Sequence, residues 1–411
     1  MKWPRYLSAA LERTMHSQTE HPTMEPMQFD NTAVAFAHRS DEELRRARWM
    51  FGMIGAPSLV RLGSRVLRLA VSLRLPIRWA VGPVFDYFCG GEDIQDSLST
   101  SEQLHRYGVK TILDFSAEGQ TGEQALDAAR DEILATIRAA EGDTRFAFAV
   151  FKVSALSDND LLEERGKDGS MEAGRQAAWQ RVEDRVAGLC AEAAIRGVQI
   201  MIDAEETWLQ DAIDGLAESM MRRHNTNRCV VFTTAQLYRH DRLDYLRSLE
   251  ARARTEEWIA GVKLVRGAYM EKERDRAAEE GRPSPIQPDK ATTDRDFDAA
   301  IDLALDRLDH LNIVCGTHNE SSTARLADGM VARGLSPDDD RVSFAQLLGM
   351  SDNLSFNLAH RGYTAAKYVP YGPLREAIPY LIRRAEENTS VGGQTSRELS
   401  LIRTELARRK R

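Results

Sequence analysis

The run Ala260-Gly261-Val262-Lys263-Leu264-Val265-Arg266 decides the fold. It is short, apolar on both alternating faces apart from two cations, and it ends at Gly267. A strand apolar on both faces belongs to a parallel sheet covered by helices. Seven further runs of this kind are Lys110–Phe115, Phe146–Lys152, Val198–Asp203, Cys229–Thr234, Asn312–Thr317, Arg341–Leu347 and Ala365–Pro370. Helical patterns follow them over Thr121–Ala140, Glu172–Arg196, Glu206–Arg223, Asp241–Thr255, Asp294–Leu311, Glu320–Arg333, Ser351–His360 and Leu374–Asn388. Eight strands, each followed by a helix, predict an α/β fold of the (βα)8 TIM type. A doubly wound open sheet is the alternative and would need fewer strands.

The barrel is expected over 107–395, after a helical N-terminal region, 1–106, and before a basic C-terminal tail, 396–411. The longest connection, Met270–Thr293, lies between the fifth strand and its helix, where barrel loops roof an active site. No acid occurs between Glu43 and Asp86, whereas eight arginines do: Arg45, Arg46, Arg48, Arg61, Arg65, Arg68, Arg74 and Arg78. Within Pro57–Leu73, Arg61, Arg65 and Arg68 recur at i, i+4 and i+7, the pattern of a basic amphipathic helix for peripheral contact with an anionic membrane. The alternative is a helix packed on the barrel with a solvated arginine face. Met1 to Met15 reads as a basic tail, with a mitochondrial transit peptide as the second reading.

The 411 residues carry 55 basic and 63 acidic side chains, a net charge of −8 that argues against a nucleic-acid binder. No apolar run is long enough to span a membrane. Cys89, Cys190, Cys229 and Cys315 form no C-x-x-C pair and suit a reducing compartment. Without a His cluster, an H-E-x-x-H motif or an EF-hand loop, no metal is expected. G-x-G-x-x-G and the P-loop are also missing, so a nucleotide cofactor must be held in another manner.

Barrel enzymes place their chemistry at the C-terminal ends of strands. Singly, a polar residue there is commonly the edge of a core. Lys152, Asp203, Gln236, Lys263, His318 and Tyr368 all converge on that one rim, and this convergence points to a site. Arg383 and Arg384, on the last helix, suit a carboxylate clamp, although adjacent helix positions diverge by about 100°. Lys152 adds a third cation, which Asp203 would pair.

Five motifs together resemble the proline dehydrogenase family over roughly residues 30–395. They are Lys263-Leu264-Val265-Arg266-Gly267-Ala268-Tyr269, Thr317-His318-Asn319, Asp203-Ala204-Glu205-Glu206, Tyr368-Val369-Pro370-Tyr371-Gly372 and Tyr380-Leu381-Ile382-Arg383-Arg384-Ala385-Glu386-Glu387-Asn388. The first string and Pro283-Ser284-Pro285 are similar to the single-function, mitochondrial-like branch. The resemblance implies a distorted (βα)8 barrel with FAD that oxidises L-proline to Δ1-pyrroline-5-carboxylate. Hydride would pass to flavin N5 and electrons onward to a quinone. It implies catalytic roles for Asp203 and Lys263. Lys152, Arg383 and Arg384 would hold the proline carboxylate, with Leu264, Tyr269, Tyr368 and Tyr380 completing the pocket. Ala204, Gln236, Arg266, Gly267, Ala268, Thr317 and His318 match FAD-contacting positions. Many bacterial members carry arginine where this chain has Lys263, which lacks the planar fork. No aldehyde dehydrogenase domain follows, so the product is expected to pass to a separate pyrroline-5-carboxylate dehydrogenase. The expected location is the cytoplasm, at the inner membrane face, in a bacterium, or the mitochondrion in a eukaryote.

Other functions stay open on the same residues. A Schiff-base lyase or aldolase would use Lys152 or Lys263. A folate-reducing flavin barrel would not need two adjacent carboxylate-binding arginines, and a non-catalytic scaffold leaves the rim unexplained. Hydroxyproline is the alternative substrate, disfavoured because Tyr368 would crowd a ring hydroxyl.

Overall fold

In the computed structural model of the chain, Lys110–Phe115 (β1) pairs in parallel with Phe146–Phe151 (β2) on one side and Ala365–Tyr371 (β8) on the other. That second pairing, with Ile112 opposite Tyr368, closes the sheet. Between them run Ile200–Ile202 (β3), Val231–Gln236 (β4), Ala260–Val265 (β5), Leu311–Gly316 (β6) and Val342–Leu347 (β7). All eight are parallel neighbours in chain order, so the fold is a (βα)8 barrel and the open sheet is excluded. The structure describes residues 26–54, 63, 67, 77–115, 121–167, 171–390 and 394–411. Apart from Gly63 and Leu67, the arginine helix expected over Pro57–Leu73, with Arg61, Arg65 and Arg68, lies outside the described residues, as does the basic segment Met1 to Met15.

Strand alternation sorts side chains into two layers. Ile112, Phe148, Val150, Met201, Phe232 and Val314 pack together inside the barrel. Ile200, Ile202, Val262, Leu264, Ile313 and Cys315 face outward, against the helices Ala173–Arg196, Thr207–His224 and Lys290–Leu305. Local signals set the helix ends. Asp289 accepts from the Thr292 N–H and Asn319 from the Ser322 N–H, each capping the helix that follows it. The first of these starts its helix at Lys290, earlier than the apolar pattern alone predicts. The Met270–Thr293 connection, expected as a loop, contains a helix, Met270–Glu279.

A second core joins the N-terminal helices Asp41–Ile54 and Arg78–Phe88 to the C-terminal helices Leu374–Ser390 and Gln394–Arg408. Leu44, Phe51, Phe85 and Phe88 pack there with Ala377, Ile378, Leu381 and Ile402. The segment expected as a basic tail is therefore a packed helix. Leu401 and Ile402 are buried, and Arg409 donates to the Phe36 and Arg39 carbonyls while pairing with Asp41. An apolar stripe at helical spacing lies hidden among its many charges.

One buried ion pair ties these layers together. Lys367, with 0% of its surface exposed, places Nζ 2.8 Å from Asp352 Oδ1 and donates to the Met350 carbonyl. His38 Nε2 lies 3.2 Å from Asp352 Oδ2, which brings in the N-terminal region. Burial would raise the Asp352 carboxyl, but Lys367, His38 and Arg39 outweigh it and hold the group well below the usual carboxylate range. Removing one partner of a buried pair strands the other charge and costs about 3–5 kcal/mol. Lys367→Met should lower stability to urea by about that amount, and adding Asp352→Asn should recover part of it. A loss under about 1 kcal/mol in the single variant would contradict this role for the pair.

Candidate active site

The C-terminal strand ends open into one cavity of about 520 Å³. Every strand contributes a polar side chain: Asp114, Lys152, Asp203, Gln236, Thr317 and Gln346 near or just past the strand ends, and Lys263 and Tyr368 from within β5 and β8. Tyr380, Arg383 and Arg384 reach the same cavity from the helix Leu374–Ser390.

The charged centre lies where β3, β5 and β8 end. Lys263 Nζ donates to Asp203 Oδ1 and, at 2.6 Å, to the Tyr368 hydroxyl, which itself donates to Asp203 Oδ1 at 3.3 Å. Lys152 Nζ stands 3.8 Å from Asp203 Oδ2 and 3.9 Å from Asp114 Oδ2. Burial raises the Asp203 carboxyl, but Lys263 and Lys152 outweigh it and hold the group below the usual range. Burial, then Asp203 and Asp114, push the Tyr368 hydroxyl well above its ordinary value, so the phenol stays protonated. A buried ion pair gains little stability over apolar side chains of equal volume. Its presence at the open end of an apolar core therefore marks a functional site.

Past β5 the wall is fixed by fold-specific contacts. Arg266 donates to Asp294 Oδ1 at 2.7 Å, Thr317 Oγ1 at 2.7 Å and Ser322 Oγ at 3.0 Å. Gly267 follows at φ +135°, and a Cβ there would lie 2.5 Å from the Tyr238 ring, so only glycine fits. Gln236 Nε2 donates to the Glu205 carbonyl at 2.7 Å. His318 Nδ1 meets Ser351 Oγ at 2.9 Å. Burial, then Lys367, Arg384 and Arg266, push the His318 imidazole down to about 3, so it is neutral near pH 7.

Of the residues expected from sequence, Lys152, Asp203, Ala204, Gln236, Lys263, Arg266, Gly267, Ala268, Tyr269, Thr317, His318, Tyr368, Tyr380, Arg383 and Arg384 line this cavity. Leu264 does not. Adjacent to Lys263 in β5, it points to the opposite face and packs with Val262 and Ile313 against the helices, so its expected place in the substrate pocket is corrected. Arg383 and Arg384 share the cavity despite their divergence on the helix. Asp114, Ser351, Arg397 and Glu398 also line it and were missed. Asp114 had a signal, being the one acid in the Lys110–Phe115 run. Arg397 and Glu398 had none, because only the packing of the helix Gln394–Arg408 brings that part of the chain to the rim, and Ser351 lies in the connection after β7 with no charge to single it out.

The lining sets seven cations, Lys152, Lys263, Arg266, Lys290, Arg383, Arg384 and Arg397, against four acids, Asp114, Asp203, Glu320 and Glu398. Such a cavity suits an anionic ligand.

Comparison with known proteins shows the family. A family model described as proline dehydrogenase matches residues 97–397. The carbapenem antibiotics biosynthesis protein CarD of Pectobacterium carotovorum subsp. carotovorum is 34% identical over 323 residues, covering 79% of this chain and 83% of that protein. Proline dehydrogenase 1, mitochondrial, of Homo sapiens is 42% identical over 234 residues, which are 56% of this chain and 39% of that protein. Hydroxyproline dehydrogenase of Bos taurus is 30% identical over 435 residues, covering 94% of each chain. Among solved structures, proline utilization A from Bdellovibrio bacteriovorus superimposes on 88% of this chain and 38% of its own, with a TM-score of 0.69. At 18% identity that likeness concerns the fold alone. The match of the family model over most of the chain places this protein in the proline dehydrogenase family.

Proposed function

We propose that the cavity binds FAD and L-proline side by side and that the chain oxidises proline to Δ1-pyrroline-5-carboxylate. One observation carries this reading: the Asp203–Lys263–Tyr368 contact opens onto the same cavity as Lys152, Arg383 and Arg384. The donor set fits a flavin nucleotide, since Arg266, Lys290 and Arg397 offer cations for a diphosphate. Ala204, Gln236, Arg266, Gly267, Ala268, Thr317 and His318 would hold it. Bound there, FAD would supply the acceptor for the hydride taken from the proline ring carbon beside nitrogen, as the C–N bond becomes C=N and the nitrogen gives up a proton.

The chain's own work is binding and orientation. Lys152, Arg383 and Arg384 hold the carboxylate, and Tyr269, Tyr368 and Tyr380 pack around the ring. Asp203 holds the Lys263 side chain in place, so that it faces the reacting end of the site. A Schiff-base role fits less well, because Lys263 Nζ is engaged by the Asp203 carboxylate and the Tyr368 hydroxyl rather than standing free to attack a carbonyl. Hydroxyproline is the second substrate to weigh, because relatives of that name match the chain over 91% and 94% of its length. The Tyr368 hydroxyl, held by Lys263 and Asp203, would crowd a hydroxyl on the substrate ring, which favours proline.

Reoxidation would use a membrane quinone, with the product passed to a separate pyrroline-5-carboxylate dehydrogenase. That places the enzyme peripherally at the inner membrane face of a bacterium, or in the mitochondrion of a eukaryote. Among the described residues no helix is long and apolar enough to cross a membrane. Trp79, 83% exposed, and Trp49, 66% exposed, accompany the exposed Arg45, Arg46 and Arg48. Aromatics and cations of this kind anchor proteins at an anionic bilayer surface.

Anaerobic L-proline should bleach the flavin absorbance of the purified protein, and hydroxyproline should do so less efficiently. Arg383→Met and Arg384→Met should retain the flavin but raise KM for proline roughly 30-fold or more, as expected when a buried charge loses its partner. A colourless protein that borohydride cross-links to a carbonyl substrate would overturn the redox reading. Vesicles of anionic lipid should sediment the protein at low salt and release it at high salt, with weaker binding for Trp79→Ala. No binding of the unmodified chain at low salt contradicts the membrane contact alone.

A further inference from the structure

Glu398 lies one residue beyond the stretch that the family model matches, yet it lines the cavity and is buried. It sits on the C-terminal helix Gln394–Arg408, and its Oε1 accepts the backbone N–H of Ser351. Ser351 immediately precedes the helix Asp352–His360 and has φ 49° and ψ 45°, the left-handed region that serine adopts only under constraint. Its hydroxyl meets His318 Nδ1 at 2.9 Å, and His318 forms part of the cavity wall. A carboxylate on the last helix, a backbone turn after β7 and an imidazole after β6 thus form one continuous line into the site.

We propose that Glu398 is a positioning residue: it locks Ser351 in its left-handed turn and thereby sets the ring of His318 at the cavity wall. This rests on the cavity being the flavin and substrate site. Without the Glu398 oxygen, the buried Ser351 N–H loses its acceptor and the turn loses the bond that offsets its strain. The turn then relaxes and carries the Ser351 hydroxyl away from His318. The N-terminus of the helix Asp352–His360 favours an anion at this point. Burial, then Asp352 and Glu320, push the Glu398 carboxyl up to about 7, opposed by the bond from the Ser351 N–H and by Lys367. His318 cannot respond by gaining a proton near pH 7, so its remaining freedom is ring orientation and tautomer, which Ser351 fixes. The barrel uses a similar device elsewhere. Glu205, also buried, accepts the Ser154 N–H at 2.9 Å, just after Lys152.

Nitrogen-15 NMR of histidine-labelled protein tests the proposal directly, with the His318 signals assigned by their loss in His318→Gln. The unmodified chain should show one neutral tautomer at His318. Glu398→Ala and Ser351→Ala should each move those signals toward the averaged values of a free imidazole. Glu398→Gln, whose amide oxygen still accepts the N–H, should keep them. Flavin fluorescence should show FAD affinity falling about tenfold in Glu398→Ala and in Ser351→Ala, and no further in the double variant, because both act through one ring. Unmoved His318 signals in Glu398→Ala, or single losses that multiply in the double variant, would overturn the proposal. If Glu398→Ala does not fold, unmoved signals in Ser351→Ala or lost ones in Glu398→Gln overturn it instead. An unmodified chain that binds no FAD would refute the cavity's assignment, and the NMR signals would still decide the role of Glu398.

Discussion

An ammonium group inside a barrel of apolar side chains must be paired, and Lys263 is paired by Asp203 and Tyr368. Those three groups stand on β5 and β8 and just past β3, none of which neighbours another in the sheet. Only a closed barrel turns three such strands so that their ends converge. Closure through the β1–β8 pairing is therefore a condition of the site as well as of the fold. Because the pair gains little stability over an apolar filling, its place in the molecule is explained by the cavity above it rather than by the core below it.

The elements outside the barrel matter for the same reason. Arg383 and Arg384 ride on a helix whose apolar face packs against Phe51, Phe85 and Phe88 of the N-terminal helices and Ile402 of the last one. The buried set of Lys367, Asp352, His38 and Arg39 holds this assembly against β8. The side of the cavity that carries Arg383 and Arg384 is thus positioned by residues far from it in sequence. The Ser351 turn, reached by Glu398 from the same assembly, extends that dependence to the part of the wall formed by His318.

The fold was legible because its strands are apolar on both faces, which separates them from the amphipathic helices between them. β1 starts and ends where the apolar run does, and the eight-unit count led directly to closure. The rim residues were legible because a polar side chain ending an apolar run stands out. Leu264 was misplaced because its motif neighbour Lys263 faces the cavity and strand parity sends the next residue the other way. The helix Gln394–Arg408 was misread as a tail because its charges outnumber its buried leucines and isoleucine. Ser351 and Glu398 could not be found from sequence, since their bond spans 47 residues and depends on how two helices pack.

The central claim is that Asp203 and Lys263 act as one unit in the chemistry of this site. A double-mutant cycle measures that most directly, using kcat/KM for L-proline in Asp203→Asn, Lys263→Met and the combined variant. Each single loss should approach the double loss, with an interaction energy above about 2 kcal/mol, because either change strands the same buried partner. Single losses that simply add would show two independent residues and contradict the account.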